Sequence, residues 1–87
     1  MSLAKDSSKF VETRTDEETV VMALDTGEFF SLQDTARAIW ELIDGTSGRE
    51  TIIASLAAKY SVDPAAIAPE VDAFLSELQA KRLLRQS

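Results

Sequence analysis

The 87-residue chain predicts an α+β domain with a three-stranded antiparallel sheet at its N-terminal end and three helices after it. Three observations carry this. Apolar residues alternate with a period of two as far as Leu32 and then recur with a helical period from Ala36 onward. Turn residues separate the segments at the right intervals. Strands followed by helices, without alternation, indicate α+β, not a doubly wound α/β fold.

Residues 1–8 are small and polar and are expected to fray, leaving 9–87 as one domain. Phe10-Val11-Glu12-Thr13 reads as a short strand, closed by the polar turn Thr15–Glu18. In Thr19–Leu24, Val20, Met22 and Leu24 share one face and Val21 and Ala23 the other. Both faces are apolar, so this reads as a central strand, with Met22 and Leu24 expected in the core. Asp25-Thr26-Gly27 is a hairpin turn in which glycine supplies a positive φ. Glu28–Leu32 is the returning strand. A helix is expected over 34–44, with Ala36, Ile39, Trp40 and Ile43 on one face and Gly45 just past its end. Ser47-Gly48-Arg49-Glu50 matches a capping box ahead of a helix over 48–60. Asp63-Pro64 starts the third helix with a cap and a proline at N1. Pro69 is expected to break it, giving one turn over 64–68 and a main helix over 69–82, with Leu83-Leu84 folding back on the core. Three short helices after a small meander resemble a winged helix-turn-helix.

Composition narrows the function. Fifteen acidic and nine basic residues give a formal charge of −6. That weighs against nucleic acid and anionic membranes, both of which need a cationic surface. Residues 1–44 hold ten of the acids and four of the bases, so the acidity is concentrated there. There is no Cys and no His. This removes thiol chemistry, Cys-ligated metals and the commonest general base. No metal or cofactor signature stands out: Asp16-Glu17-Glu18 reads as a solvated turn, and Glu70 and Asp72 do not share a helix face. No apolar run reaches the length of a membrane span, and a cytoplasmic protein is expected. Phe29 and Phe30 are adjacent on a strand and must point to opposite faces, so one enters the core and the other is covered, exposed or used for binding.

Leu24–Leu32, Ala38-Ile39-Trp40-Glu41-Leu42-Ile43-Asp44-Gly45, Tyr60-Ser61-Val62-Asp63 and Val71–Leu78 together resemble the PqqD-like family, the peptide-chaperone or RiPP recognition element domains. The chain departs from the family pattern at Gln33, where Asn often caps the first helix, at Glu70, and at Arg82, which replaces a frequent Gly. The resemblance implies a non-catalytic, winged-helix-like domain without cofactor. Such a domain binds the leader of a ribosomally made precursor peptide and presents it to a radical-SAM enzyme, or to a leader protease with a cyclase. The leader adds as a strand to the third strand, in a groove walled by the third helix. In this sequence the strand is Glu28, Phe29, Phe30, Ser31 and Leu32. A helical wheel places Ile67, Val71, Phe74 and Leu78 in the core and assigns the groove wall to Ala68, Asp72, Leu75 and Gln79. The flank of Glu70, Glu77 and Lys81 is the alternative not chosen. A monomer or a weak, element-swapped dimer is expected. The competing function is a winged-helix nucleic-acid-binding or regulator domain, which the charge disfavours.

Overall fold

The computed structural model describes residues 2–86, Gln86 by its backbone alone; Met1 and Ser87 lie outside the described residues. The elements in order are β1 (Leu3–Lys5), β2 (Phe10–Arg14), β3 (Thr19–Ala23), β4 (Phe29–Leu32), α1 (Asp34–Leu42), α2 (Arg49–Tyr60), α3 (Pro64–Ala80) and β5 (Leu84–Gln86). They form an α+β structure with two antiparallel sheets. The expected meander is the larger one, in the order β2-β3-β4. The smaller one, β1-β5, joins the two ends of the chain and corrects the expectation that residues 1–8 fray. Leu3 is buried, its N–H donates to the Ser47 carbonyl at 2.9 Å, and its own carbonyl accepts from Gly45 N–H at 2.9 Å. Short flanks gave no sign of partners about 80 positions away.

Residue chemistry explains the local boundaries. Gly27 takes φ +74° in the β3–β4 turn, where its N–H reaches the Ala23 carbonyl at 2.8 Å. Asp63 caps α3 by accepting from Ala65 N–H at 2.9 Å, with Pro64 at N1. The capping box does not form: Gly48 is the N-cap of α2 and makes no side-chain cap bond, while Asp44 Oδ1 takes the Thr46 and Ser47 N–H groups at 2.9 and 3.0 Å. α3 runs unbroken through Pro69. Proline so near the N-terminus costs a single intrahelical bond and has little helix ahead of it to disturb.

α3 ends in a Schellman turn: Arg82 N–H donates to the Gln79 carbonyl at 3.0 Å and Leu83 N–H to the Leu78 carbonyl at 3.0 Å. Arg82 carries φ +61° in this turn. The family's frequent glycine here thus has a conformational reason, and the turn forms with arginine in its place.

The core lies between the β2-β3-β4 sheet and the helices. Trp40, Ile39, Ile52, Leu56, Val71 and Leu83 are fully buried. The face of β3 that enters it is the opposite of the one expected. Thr19, Val21 and Ala23 are buried, whereas Leu24 is 49% exposed and Met22 only half-buried. Alternation identified two faces, but pairing with β2 and β4 and the placement of the helices chose between them.

Candidate functional site

β4 is the outermost strand of its sheet. Val21 pairs with Phe30 and Thr19 with Leu32. Ala23 N–H donates to the Glu28 carbonyl at 2.9 Å. Antiparallel pairs alternate between bonded and unbonded, so Phe30 and Leu32 turn their backbone groups toward β3. Phe29 and Ser31 turn theirs toward the open edge. Of the five strand residues selected from sequence, these two therefore offer the backbone to a ligand, while Glu28 belongs to the turn.

Side chains divide in the same way. Leu32 is buried and Phe30 half-buried beneath α3, whereas Phe29 is 70% exposed on the other face. Across from Phe30 and Leu32 stands the C-terminal half of α3, with Phe74, Glu77, Leu78 and Lys81. Between them lies a cavity of about 20 Å³, bounded by Val21, Phe30, Leu32, Trp40, Phe74, Glu77, Leu78, Lys81 and Leu83. Its exposed surface is apolar, so Glu77 and Lys81 contribute their aliphatic stems. Lys81 Nζ lies 4.6 Å from the centre of the Phe30 ring, a cation–π contact across the mouth. A second cleft continues past the strand end between Glu28, Asp25 and Lys9 on one side and Ala80, Lys81 and Arg82 on the other. The two meet at Lys81, and the apolar cavity is the groove between β4 and α3.

This groove uses the flank of α3 not chosen from sequence. Leu75 is buried, as are Ile67, Val71 and Leu78, and Phe74 is the half-buried residue that borders the groove. Asp72 faces α2, where Arg49 Nη2 donates to its Oδ2 at 2.8 Å and Arg49 Nε to its Oδ1 at 2.5 Å. These bonds hold the Asp72 carboxyl below its ordinary pKa and raise that of Arg49. Ala68 packs against the core and Gln79 is exposed; neither borders the groove. The difference comes from a one-residue choice on the wheel. Exchanging Phe74 for Leu75 in the core stripe turns its centre by about 25°, which takes Leu75 off one flank and puts Phe74 on the border of the other. Phe74, Glu77 and Lys81 line the cavity and were not among the residues selected from sequence. The available signal was the i, i+4, i+8, i+11 series Ile67, Val71, Leu75, Leu78.

Further contacts fix the strand. Glu18 Oε2 accepts from Ser31 Oγ at 2.6 Å and from Gln33 Nε2 at 3.0 Å, and these bonds lower the Glu18 pKa. Gln33 is the N-cap of α1 without a capping side-chain bond; its amide is spent on Glu18 instead. Beneath the sheet, Trp40 Nε1 donates to Glu12 Oε2 at 3.1 Å and Phe10 meets the Trp40 ring edge-on at 5.1 Å. Among the described residues, no group of His, Cys, Asp and Glu is arranged to hold a metal, and no helix is long and apolar enough to cross a membrane.

An open strand edge beside an apolar groove is an arrangement that accepts an extended peptide. The family model for Coenzyme PQQ synthesis protein D (PqqD) matches residues 18–84, a span that includes β3, β4, all three helices and the groove. The chain belongs to the PqqD family. Its structure is similar to that of TbiB1 in complex with the TbiA(beta) leader peptide, with a TM-score of 0.82 and 30% identity over 100% of this chain and 98% of that one. No curated protein matches the chain. As a PqqD-family domain, it keeps the acidic balance and the Trp40-centred core expected from sequence, together with a β1-β5 clasp whose first strand lies outside the family match.

Proposed function

We propose that this PqqD-family chain binds the leader segment of a ribosomally made precursor peptide and presents it to a modifying enzyme, without catalysing a step itself. The observation that carries the reading is the open edge of β4 beside the apolar groove under α3. The similar structure, TbiB1, is in complex with a leader peptide. On this reading the leader adds as an antiparallel strand, pairing with the backbone of Phe29 and Ser31. The domain is winged-helix-like, but a strand edge, not a helix, meets the ligand.

Magnitudes assign the roles. Each backbone hydrogen bond nets about 0.5–1.5 kcal/mol, and ordering a flexible leader costs about 2–5 kcal/mol. Two outward-facing residues cannot supply micromolar binding, near −8 kcal/mol, alone. An apolar leader side chain entering between Phe30 and Phe74 supplies the rest, and Lys81 must swing off Phe30 to admit it. The absence of His and Cys supports binding over catalysis. A nucleic-acid reader would need a basic helix. Here Arg49 is engaged by Glu50 and Asp72, and α3 carries Glu70, Asp72 and Glu77.

The test is calorimetry with the TbiA(beta) leader and with the leader of any precursor peptide encoded near this chain's gene, together with amide chemical shifts. Saturable binding is expected, with shifts centred on residues 28–33 and on Phe74–Lys81. Absence of binding, or shifts that avoid β4, overturns the proposal.

A further inference from the structure

Glu18 sets a negative charge against the open edge of β4, and no cation balances it. It precedes β3 and shares a face with Val20, which pairs with Ser31. On β4 the same face carries Phe29 and Ser31, the residues whose backbone groups turn outward. Glu18 Oε2 accepts from Ser31 Oγ at 2.6 Å and from Gln33 Nε2 at 3.0 Å, so the carboxylate lies over the edge strand. Both donors are neutral. Their bonds favour the ionised form and hold the carboxyl below its ordinary pKa. Among the described residues, no cation lies within 4.0 Å of Glu18, and its Oε1 accepts no hydrogen bond. Arg14 and Arg37, the arginines nearest in sequence, are both taken by Glu41, and Arg37 also by the Thr15 and Asp16 carbonyls.

A side chain needed only to tie Ser31 to Gln33 requires no charge, since the amide oxygen of a glutamine accepts the same two bonds. The charge faces the edge where a strand can add. An antiparallel strand runs against β4. Its residue opposite Phe30 turns into the groove, and the residue before that one stands opposite Ser31. The side chain of this preceding residue falls on the outer face, beside Glu18. Opposed Cα atoms there are about 5.5 Å apart, a gap that the long stem of lysine or arginine covers. A basic residue is also drawn to a chain of charge −6.

We infer, on the leader-binding reading, that Glu18 selects leaders with lysine or arginine immediately before the apolar residue that fills the groove, by pairing with that cation across the outer face of β4. The two faces of the added strand are then read differently. One side chain is chosen by apolar contact with Phe30 and Phe74, and its neighbour by charge. Orientation is read as well, because a parallel strand would bring the residue after the anchor, not the one before it, opposite Ser31.

The experiment is calorimetry at low and high salt with the TbiA(beta) leader and with the leader of any precursor peptide encoded near this chain's gene. The anchor is the position whose replacement by alanine weakens binding most. The position before it then carries either lysine or norleucine, which has a similar stem and no charge. Wild type and Glu18→Gln are compared, with fold checked by circular dichroism. Wild type should bind the lysine peptide about three- to fivefold more tightly than the norleucine peptide, the upper range for an exposed ion pair. The preference should shrink at high salt. Glu18→Gln should abolish it, while binding the norleucine peptide within about twofold of wild type. Equal affinities in wild type overturn the inference, as does a preference that survives in Glu18→Gln. A gain from lysine after the anchor instead of before it also overturns it. All three outcomes leave the leader reading standing. Failure of wild type to bind either leader removes that reading and the inference together.

Discussion

The two flanks of α3 are alike in composition and opposite in use. On one, Asp72 is clamped by Arg49 from α2, and Leu75 is sealed into the core. On the other, Phe74, Glu77 and Lys81 face β4 across an apolar cavity. Each offers apolar, acidic and long polar side chains at helical spacing. The difference is the neighbour: a helix packs closely along one flank, while the other meets a strand that ends its sheet. A groove is thus a property of two elements and the gap between them.

Removing the floor common to both flanks should have the largest effect. Trp40 is fully buried and borders the open cavity from below. Trp40→Ala should cost about 3–5 kcal/mol in urea denaturation, a large part of the stability of a small domain. A loss under about 1 kcal/mol would deny Trp40 its place in the core.

Substitution on the open flank should separate binding from stability. Phe74→Ala is expected to weaken leader binding about tenfold, or about 1.4 kcal/mol, in calorimetry. Asp72→Ala on the closed flank should leave leader affinity within about twofold. The reverse pattern would move the groove back to the flank chosen from sequence.

The closed flank should instead report through pH. Arg49 lowers the folded-state pKa of Asp72. A depressed carboxylate contributes fully above its unfolded value, about 3.9, and its contribution is lost as pH falls through the lower folded value. Wild type should therefore lose stability below about pH 4 more steeply than Asp72→Asn in denaturation followed from pH 6 to pH 2. Both pairing groups are about half exposed, so the difference should shrink in high salt. Parallel acid limbs would remove the Arg49–Asp72 pair as a cause of the closure.

The smallest expected change lies at the end of the open flank. Arg82 holds φ +61°, which costs a side-chain-bearing residue more than glycine. Arg82→Gly should stabilise the fold by about 0.5 kcal/mol, since relief of the left-handed strain exceeds glycine's greater unfolded-state freedom. Destabilisation of similar size would mean that the arginine side chain contributes more than its backbone costs.

Local order was legible in the sequence alone. Period-two and period-3.6 patterns placed three strands and three helices near their observed positions. Gly27 fixed the hairpin and Asp63-Pro64 the start of α3, because each acts on its own backbone within a few residues. That the third strand of the meander ends its sheet was also legible, from the order of the strands. Facing and long-range pairing were decided only by the tertiary structure. Val20 and Met22 are as apolar as Val21 and Ala23, so hydrophobicity could not say which pair the helices would cover. Phe74 and Leu75 were equally fit for the core, and only the folded packing put Leu75 inside. β1 and β5 carry almost no strand signal in three residues each; they pair because folding brings the chain ends together beside the Gly45–Ser47 loop. A residue's own chemistry sets what its backbone prefers, but burial depends on which distant surface arrives, and that information is spread over the whole chain.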